Sequence, residues 1–178
     1  MEGFITKKGK RIIIREPGED DLEKLFVFFN KLINEDTFIL RSKEDKVTFE
    51  EERKWFSEAL SKIRRKEAVF IQAYYQNQLV GQVEVRKGQF RKKFVGTLHI
   101  AVDCDFRGEG IGEELMKQSE ENCKNLGIKI ISLNVYDRND IAIGLYKKMG
   151  FTELGRLPKA IEFQGGFGDE VYMYKRID

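Results

Sequence analysis

Arg107-Gly108-Glu109-Gly110-Ile111-Gly112 is the stretch that decides the fold. It follows an apolar run, residues 94–102, and opens a segment, residues 110–126, in which Ile111, Leu115 and Met116 recur at helical spacing. The stretch therefore joins a buried strand to the start of a helix. Glycine at alternate positions lets the backbone turn tightly and approach a ligand with no Cβ in the way. The first amides of a helix have no partners inside it and carry partial positive charge. Strand, glycine loop and helix N-terminus together make a seat for phosphate oxygens. Arg107 adds a charge-assisted donor at the rim. The same glycines also suit a plain tight turn from strand to helix. A P-loop needs GxxxxGK[ST], which is absent. The dinucleotide fingerprint needs GxGxxG near the start of a βαβ unit, with an acid for the ribose. Here the spacing is GxGxG, and the strand before it is the third of a meander.

Upstream, residues 12–14 are a β-branched run that stops at Glu16-Pro17-Gly18. Asp20 or Asp21 caps a helix whose Leu22, Leu25, Phe26, Phe29, Leu32 and Ile33 form an apolar face. Thr48 and Glu51 fit the capping box of a second helix, with Phe56, Ala59, Leu60 and Ile63 as its buried stripe. Strands are expected at 68–75 and 79–85, with a turn at Asn77-Gln78. In the second of these, Val83 and Val85 alternate with Gln82, Glu84 and Arg86. Residues 88–93 make a polar turn, and the basic group Lys87, Arg91, Lys92 and Lys93 reads as its solvated surface. The strand 94–102 is apolar at most positions, as expected of a central strand covered on both faces.

Downstream, Gly127 ends the helix, residues 128–135 read as a buried strand, and Asn139 caps a helix running to about Lys148. Gly150 ends that helix. A final pair of strands spans 152–163 and 170–176, separated by Gly165-Gly166-Phe167-Gly168. The order is β-α-α-β-β-β-α-β-α-β-β. It predicts one α+β domain over residues 1–178, with four helices and a mixed, mostly antiparallel seven-stranded sheet. The strand-helix-strand unit 94–135 predicts a right-handed crossover.

Composition narrows the function. Thirty-two basic and 30 acidic residues leave a net charge of +2, which argues against bulk electrostatic binding to nucleic acid or membrane. Two cysteines, Cys104 and Cys123, and one histidine, His99, give neither a disulfide framework nor a zinc ligand set. The first ten residues lack an apolar signal core, and no run of 18 apolar residues occurs, so the cytoplasm is the expected location.

Residues 107–112 match the [QR]xxGx[GA] acyl-CoA loop of the GNAT superfamily of N-acyltransferases. The stretch from Leu133-Asn134-Val135-Tyr136 through Asn139, Ala142 and Tyr146 to Gly150-Phe151 resembles that superfamily's second motif, NxxAxxxYxxxGF. Both occur in the superfamily's order, and the element order agrees with its fold. The resemblance implies an enzyme that moves the acetyl group of acetyl-CoA to a primary amine directly, in a ternary complex. It implies no metal. It places the pantetheine arm of CoA against the peptide groups of Ile100, Ala101 and Val102, in a gap between two splayed strands. It places the pyrophosphate on Arg107, Gly108, Gly110, Ile111 and Gly112, with Asn139, Ala142 and Tyr146 completing the site. A backbone amide near Val102 would polarise the thioester carbonyl.

Asn139 and Tyr146 are two helical turns apart and share a face. Tyr146 offers a phenol, of pKa about 10 in its reference state, as general acid for the leaving thiolate. As a core aromatic it would instead pack beside Phe151. Some family members carry a glutamate base where this chain has Asn134, and an amide cannot take a proton at neutral pH. Glu84 and His99 are the candidates in its place. Their plainer readings are a salt-bridged strand residue and a hydrogen-bonded interior imidazole. Cys104 reads as a small buried thiol rather than a ping-pong nucleophile. The acceptor side is expected at residues 34–47 and 158–168, where Glu35, Asp36, Glu44 and Asp45 could attract a cationic amine or simply be solvated. Residues 37–41 and the pattern Glu153, Gly155, Arg156, Asp169, Glu170 and Met173 resemble a subgroup acting on ribosomal proteins or small amines, which leaves a protein N-terminus, a polyamine, an amino-acid analogue and an aminoglycoside as acceptors. A homodimer stays open. So do two other function classes: a silent CoA-binding module, and a nucleotide-phosphate enzyme using the same loop.

Overall fold

Val83 and Val85 point to one side of their strand and Glu84 to the other, and this alternation divides the whole molecule. In a computed structural model describing residues 3–163 and 165–178, eight strands form one sheet. They are β1 (Phe4–Ile5), β2 (Arg11–Arg15), β3 (Ala68–Tyr75), β4 (Gln78–Lys87), β5 (Val95–Val102), β6 (Ile130–Tyr136), β7 (Thr152–Phe163) and β8 (Gly166–Arg176). Their order across the sheet is β1-β2-β3-β4-β5-β6-β8-β7. β5 and β6 run parallel; the other neighbours are antiparallel. Among the described residues four α-helices pack on this sheet: α1 (Leu22–Glu35), α2 (Phe49–Arg64), α3 (Ile111–Asn125) and α4 (Asp140–Lys148).

The expected seven strands are therefore eight. The addition is β1, two residues that pair with β2 through Phe4↔Ile12 and Ile5↔Arg11. A two-residue strand has no period to read, so sequence pattern cannot reveal it. β8 also starts earlier than expected, because Gly166, Phe167 and Gly168 already pair with Phe163, Glu162 and Ile161.

One face of the sheet packs on α3 and α4. Val69, Ile71, Val83, Val85 and Leu98 meet Ile111, Leu115, Met116 and Tyr146 there. The other face packs on α1 and α2, where Phe70 and Tyr74 meet Leu25, Phe28, Leu32, Phe56 and Ala59. Each such fully buried large side chain contributes about 1.5–3 kcal/mol, so the centre of the sheet is held from both sides. α2 opens on its expected box: Thr48 N donates to Glu51 Oε2 at 2.9 Å and Glu51 N to Thr48 Oγ1 at 3.3 Å. α1 opens differently. Asp21 makes no side-chain cap; its carboxylate accepts from Arg15, Lys24 and the Gly18 amide instead.

α1 and α2 do not extend over β6 and β8. On their side of the sheet Asn134 and Tyr172 are exposed. The sheet thus has a covered half and an open half, and the seam between them is β5. Among the described residues, no helix is long and apolar enough to cross a membrane.

Candidate functional site

β5 and β6 begin as a pair and then part. Val95, Gly96 and Thr97 pair with Ile130, Ile131 and Ser132, and the pairing stops there. β5 runs on to Val102 against β4, and β6 runs on to Tyr136 against β8. Their C-terminal halves enclose a notch edged by strand backbone that has no strand partner on that side. Apart from the Val102 carbonyl, which accepts from a side chain, such N–H and C=O groups can bind an extended ligand. The structure corrects one expectation: the end of β5 is covered only in part. Ile100 and Val102 pack half-buried against the α3–α4 core, Ala101 half-buried against the α1–α2 core, and His99 is exposed.

The glycine loop closes one end of the notch. Gly108 and Gly110 have φ of +74° and +93°, the left-handed region that glycine enters without penalty. The first backbone bond into α3 runs from Glu114 N to Gly110 O at 3.1 Å. The amides of Ile111, Gly112 and Glu113 therefore have no partner inside the helix. The Ile111 side chain is buried, so only its backbone can serve a ligand. A Cβ on Gly112 would lie 3.2 Å from Leu145, 3.7 Å from Val102 and 3.9 Å from Ile100. At this point α3, α4 and the end of β5 meet, and a Cβ would require the Leu145 side chain to give way.

The loop is braced from below by the hairpin that sequence pattern missed. Glu109 has no exposed surface. Thr6 Oγ1 donates to its Oε2 at 2.9 Å and Lys10 Nζ to its Oε1 at 2.7 Å. The Lys7 amide donates to its carbonyl at 3.3 Å. Lys10 foremost, then Thr6, holds the Glu109 carboxyl below its ordinary pKa. The only signal for this contact in the sequence is an acid between two glycines, which reads as solvated. Glu109→Ala is expected to strand Lys10 and Thr6, lower the melting temperature, and weaken acetyl-CoA binding by loosening the loop; thermal shift with and without acetyl-CoA measures both.

Arg107 does not reach outward to the rim as expected. Its Nε donates to Val102 O at 2.9 Å and its Nη2 to Glu35 Oε2 at 2.5 Å. It ties the last residue of β5 to the last of α1. Cys104 is also corrected: it is exposed, at the start of a short 3-10 turn. Desolvation and the Glu35 carboxylate push its thiol up, so it holds its proton and suits a nucleophile poorly.

α4 carries the remaining expected residues. Asn139 caps it, accepting from Ala142 N at 3.1 Å. Tyr146 is buried, with its ring 5.9 Å from Phe151 in a tilted contact. Burial pushes its phenol up to about 12.

Parted parallel strands, free helix amides and a capped second helix converge on one groove. Residues 28–151 match the model of the acetyltransferase (GNAT) family. The chain belongs to the GNAT family of acetyltransferases. It is an acyltransferase by that membership. An L-methionine sulfoximine/L-methionine sulfone acetyltransferase of Pseudomonas aeruginosa is 23% identical over 93% of this chain and 94% of its own. A GNAT acetyltransferase from Streptococcus pneumoniae superposes with a TM-score of 0.83 at 24% identity, covering 93% of this chain and 99% of its own. A Salmonella typhimurium protein described as a putative acetyltransferase with its cofactor acetyl-CoA reaches a TM-score of 0.81 at 15% identity, over 94% of each chain.

On this GNAT scaffold the α1–α2 side of the sheet holds the polar groups beside the notch. Glu84 is buried and accepts from Arg86 Nε at 2.9 Å and Nη2 at 2.7 Å. It stands opposite His99 in the β4–β5 register. Desolvation by neighbouring protein, then the Arg86 charge, holds His99 below its ordinary pKa, with Glu84 opposing. His99 is therefore a neutral, exposed imidazole, not an interior one. The two segments expected to build the acceptor side do come together. Phe38 stacks on Phe163 at 5.2 Å, and both rings contact Tyr136, at 5.8 and 6.0 Å. Much of the acidic character expected there is bound internally: Glu35 by Arg107, Asp36 by Lys43, and Asp45 by Ser42. Tyr136 and Phe163 were not singled out by sequence, because their meeting depends on the β6–β8–β7 register.

Proposed function

We propose that this chain transfers the acetyl group of acetyl-CoA to a primary amine by direct attack within a ternary complex. The observation that carries the reading is the parting of β5 from β6 beside the free amides of α3. That geometry accepts an extended amide-bearing arm along the strand edge and a pyrophosphate at the helix N-terminus, at one end of the same groove. The residues fit the group: peptide edges at Ile100, Ala101 and Val102, an open turn at Gly108 and Gly110, and the α3 amides at Ile111 and Gly112. Asn139 and Ala142 fix the first turn of α4 alongside. A backbone amide near Val102 polarises the thioester carbonyl. Tyr146 gives its proton to the departing sulfur. Arg107 positions the end of β5 rather than contacting phosphate.

The acceptor enters from the open half of the sheet, between Phe38 and the β7–β8 hairpin. A small amine or amino-acid analogue suits a face walled by three aromatic rings and floored by polar strand residues. Turnover of a panel of amines, read by thiol release, tests the reading. Acetyl-CoA binding without turnover of any amine would leave a silent binder. A thermal shift with ATP but not acetyl-CoA would leave a nucleotide enzyme.

Glu84 enters this reading as a buried, ion-paired residue of β4, on the covered side of the β5 seam. Both its oxygens accept from the Arg86 cation, so a proton taken from the amine would discharge an ion pair, a cost that neutral donors do not add. Glu84→Gln is expected to lower turnover by less than about tenfold and to leave the acidic limb of the pH profile in place. A flattened limb, with a loss of about 10²-fold, would make Glu84 the base.

A further inference from the structure

On the open half of the sheet a carboxylate lies against Asn134 from the neighbouring strand. In the β6–β8 register Asn134 stands opposite Tyr172, and Tyr136 opposite Glu170. All four lie on the open half of the sheet, on the face turned away from Leu133, Val135, Val171 and Met173, which are buried in the α3–α4 core. Asn134 Nδ2 donates to Glu170 Oε1, and Tyr172 Oη donates to Glu170 Oε2 at 2.6 Å. Two donors from two strands thus fix one carboxylate beside the mouth of the notch. The Tyr136 phenol is raised by burial and then by the Glu170 charge, so the two groups share one electrostatic environment. Tyr136 also belongs to the aromatic wall with Phe38 and Phe163. A carboxylate beside aromatic faces attracts a cation by charge and by ring quadrupole.

Resting on the acetyltransferase reading above, we infer that Glu170 receives the acceptor's ammonium group and takes its proton. The carboxylate comes from β8, and Asn134 on the adjoining β6 serves to aim it. The ammonium N–H proton passes to a Glu170 oxygen and then to solvent. The freed nitrogen lone pair attacks the thioester carbon, and a C–N bond forms. The C–S bond breaks, and the sulfur takes the phenol proton of Tyr146. The amine loses a second N–H proton as the adduct collapses, and this balances the proton that Tyr146 has given, returned to it through water. The products are an N-acetyl amide and the free thiol.

Glu170→Gln keeps the shape and an acceptor oxygen and removes the base. Turnover against pH on the parent's preferred amine should fall by about 10²-fold and lose its acidic limb. The melting shift given by acetyl-CoA should equal the parent's, because Glu170 lies outside the phosphate loop. Tyr172→Phe supplies a second reading that needs no change at Glu170. Removing one of its two donors frees the carboxylate to swing away from the notch, so turnover should fall while the melting shift given by acetyl-CoA stays at the parent's. A merely structural Glu170 leaves the acidic limb in place in Glu170→Gln. Unchanged turnover and limb in Glu170→Gln, or a limb that stays in that variant and disappears in His99→Gln, would overturn the inference while the acetyltransferase reading stands. A parent chain that binds acetyl-CoA and acetylates no amine overturns both.

Discussion

Tyr146→Phe is expected to keep the fold and the acetyl-CoA thermal shift and to lose about 10²–10⁴-fold in turnover, the usual reach of a positioned general acid. The ring is buried against Phe151 in the α3–α4 core, and phenylalanine keeps that packing. Only the hydroxyl goes. Burial has pushed the phenol up to about 12, against about 10 in its reference state. It therefore carries its proton at every pH used for assay. The variant should lower the height of the pH profile and leave its limbs where they are. The sign for stability follows from the same shift. The folded state holds the proton more tightly than the unfolded one, so this contribution is complete below about pH 10 and is lost as pH rises toward about 12. The parent should lose more stability than the variant across that window. Turnover near the parent's would confine Tyr146 to packing and leave the thiolate to be protonated by water.

Sequence pattern reveals what is local here and hides what depends on register. Gly108 and Gly110 are legible because their spacing encodes left-handed turns before a helix, and both do have positive φ. The Thr48–Glu51 box is legible because it lies within one turn. Tyr146 and Asn139 are legible because seven residues are two turns of one helix. His99 is hidden by register, whereas Cys104 lies beyond the strand in a 3-10 turn whose exposure the apolar run does not encode. An apolar run predicts a strand with two neighbours, and nothing in the run states that β6 departs after Ser132. That departure is a tertiary event, yet it creates the groove. Glu109 was hidden differently: its partners Thr6 and Lys10 lie far away in the chain, and β1 is too short to have a period. Glu170 needs the pairing of Asn134 with Tyr172 to be known before it becomes adjacent to anything. Its carboxylate could equally have been a solvated hairpin charge. The family resemblance is thus carried by loops and caps, while the contacts of Glu109 and Glu170 depend on tertiary pairing.

Gly110→Asp should abolish the acetyl-CoA thermal shift while leaving the ligand-free protein folded. In the parent, a ligand that binds only the native state stabilises it by about 2.7 kcal/mol at a hundredfold excess over Kd, a readily measured rise in melting temperature. Gly110 has a φ of +93° and caps α3. Aspartate tolerates that region better than most residues with a Cβ. The added Cβ would meet the Phe4 ring at 3.3 Å, a ring end that can give a little. The new carboxylate would lie at the helix N-terminus, where negative charge is favoured. That preference is the reason the variant should fold and the reason it should not bind: the side chain takes the amides and the charge that a pyrophosphate would use. Gly108→Ala separates strain from competition. A Cβ there meets nothing within 4 Å, so it adds only the cost of a φ of +74° and no charge. Its thermal shift should shrink without disappearing. A folded Gly110→Asp protein that still gains the full shift would remove the phosphate from this loop, and the notch between β5 and β6 would then have to bind acetyl-CoA without it.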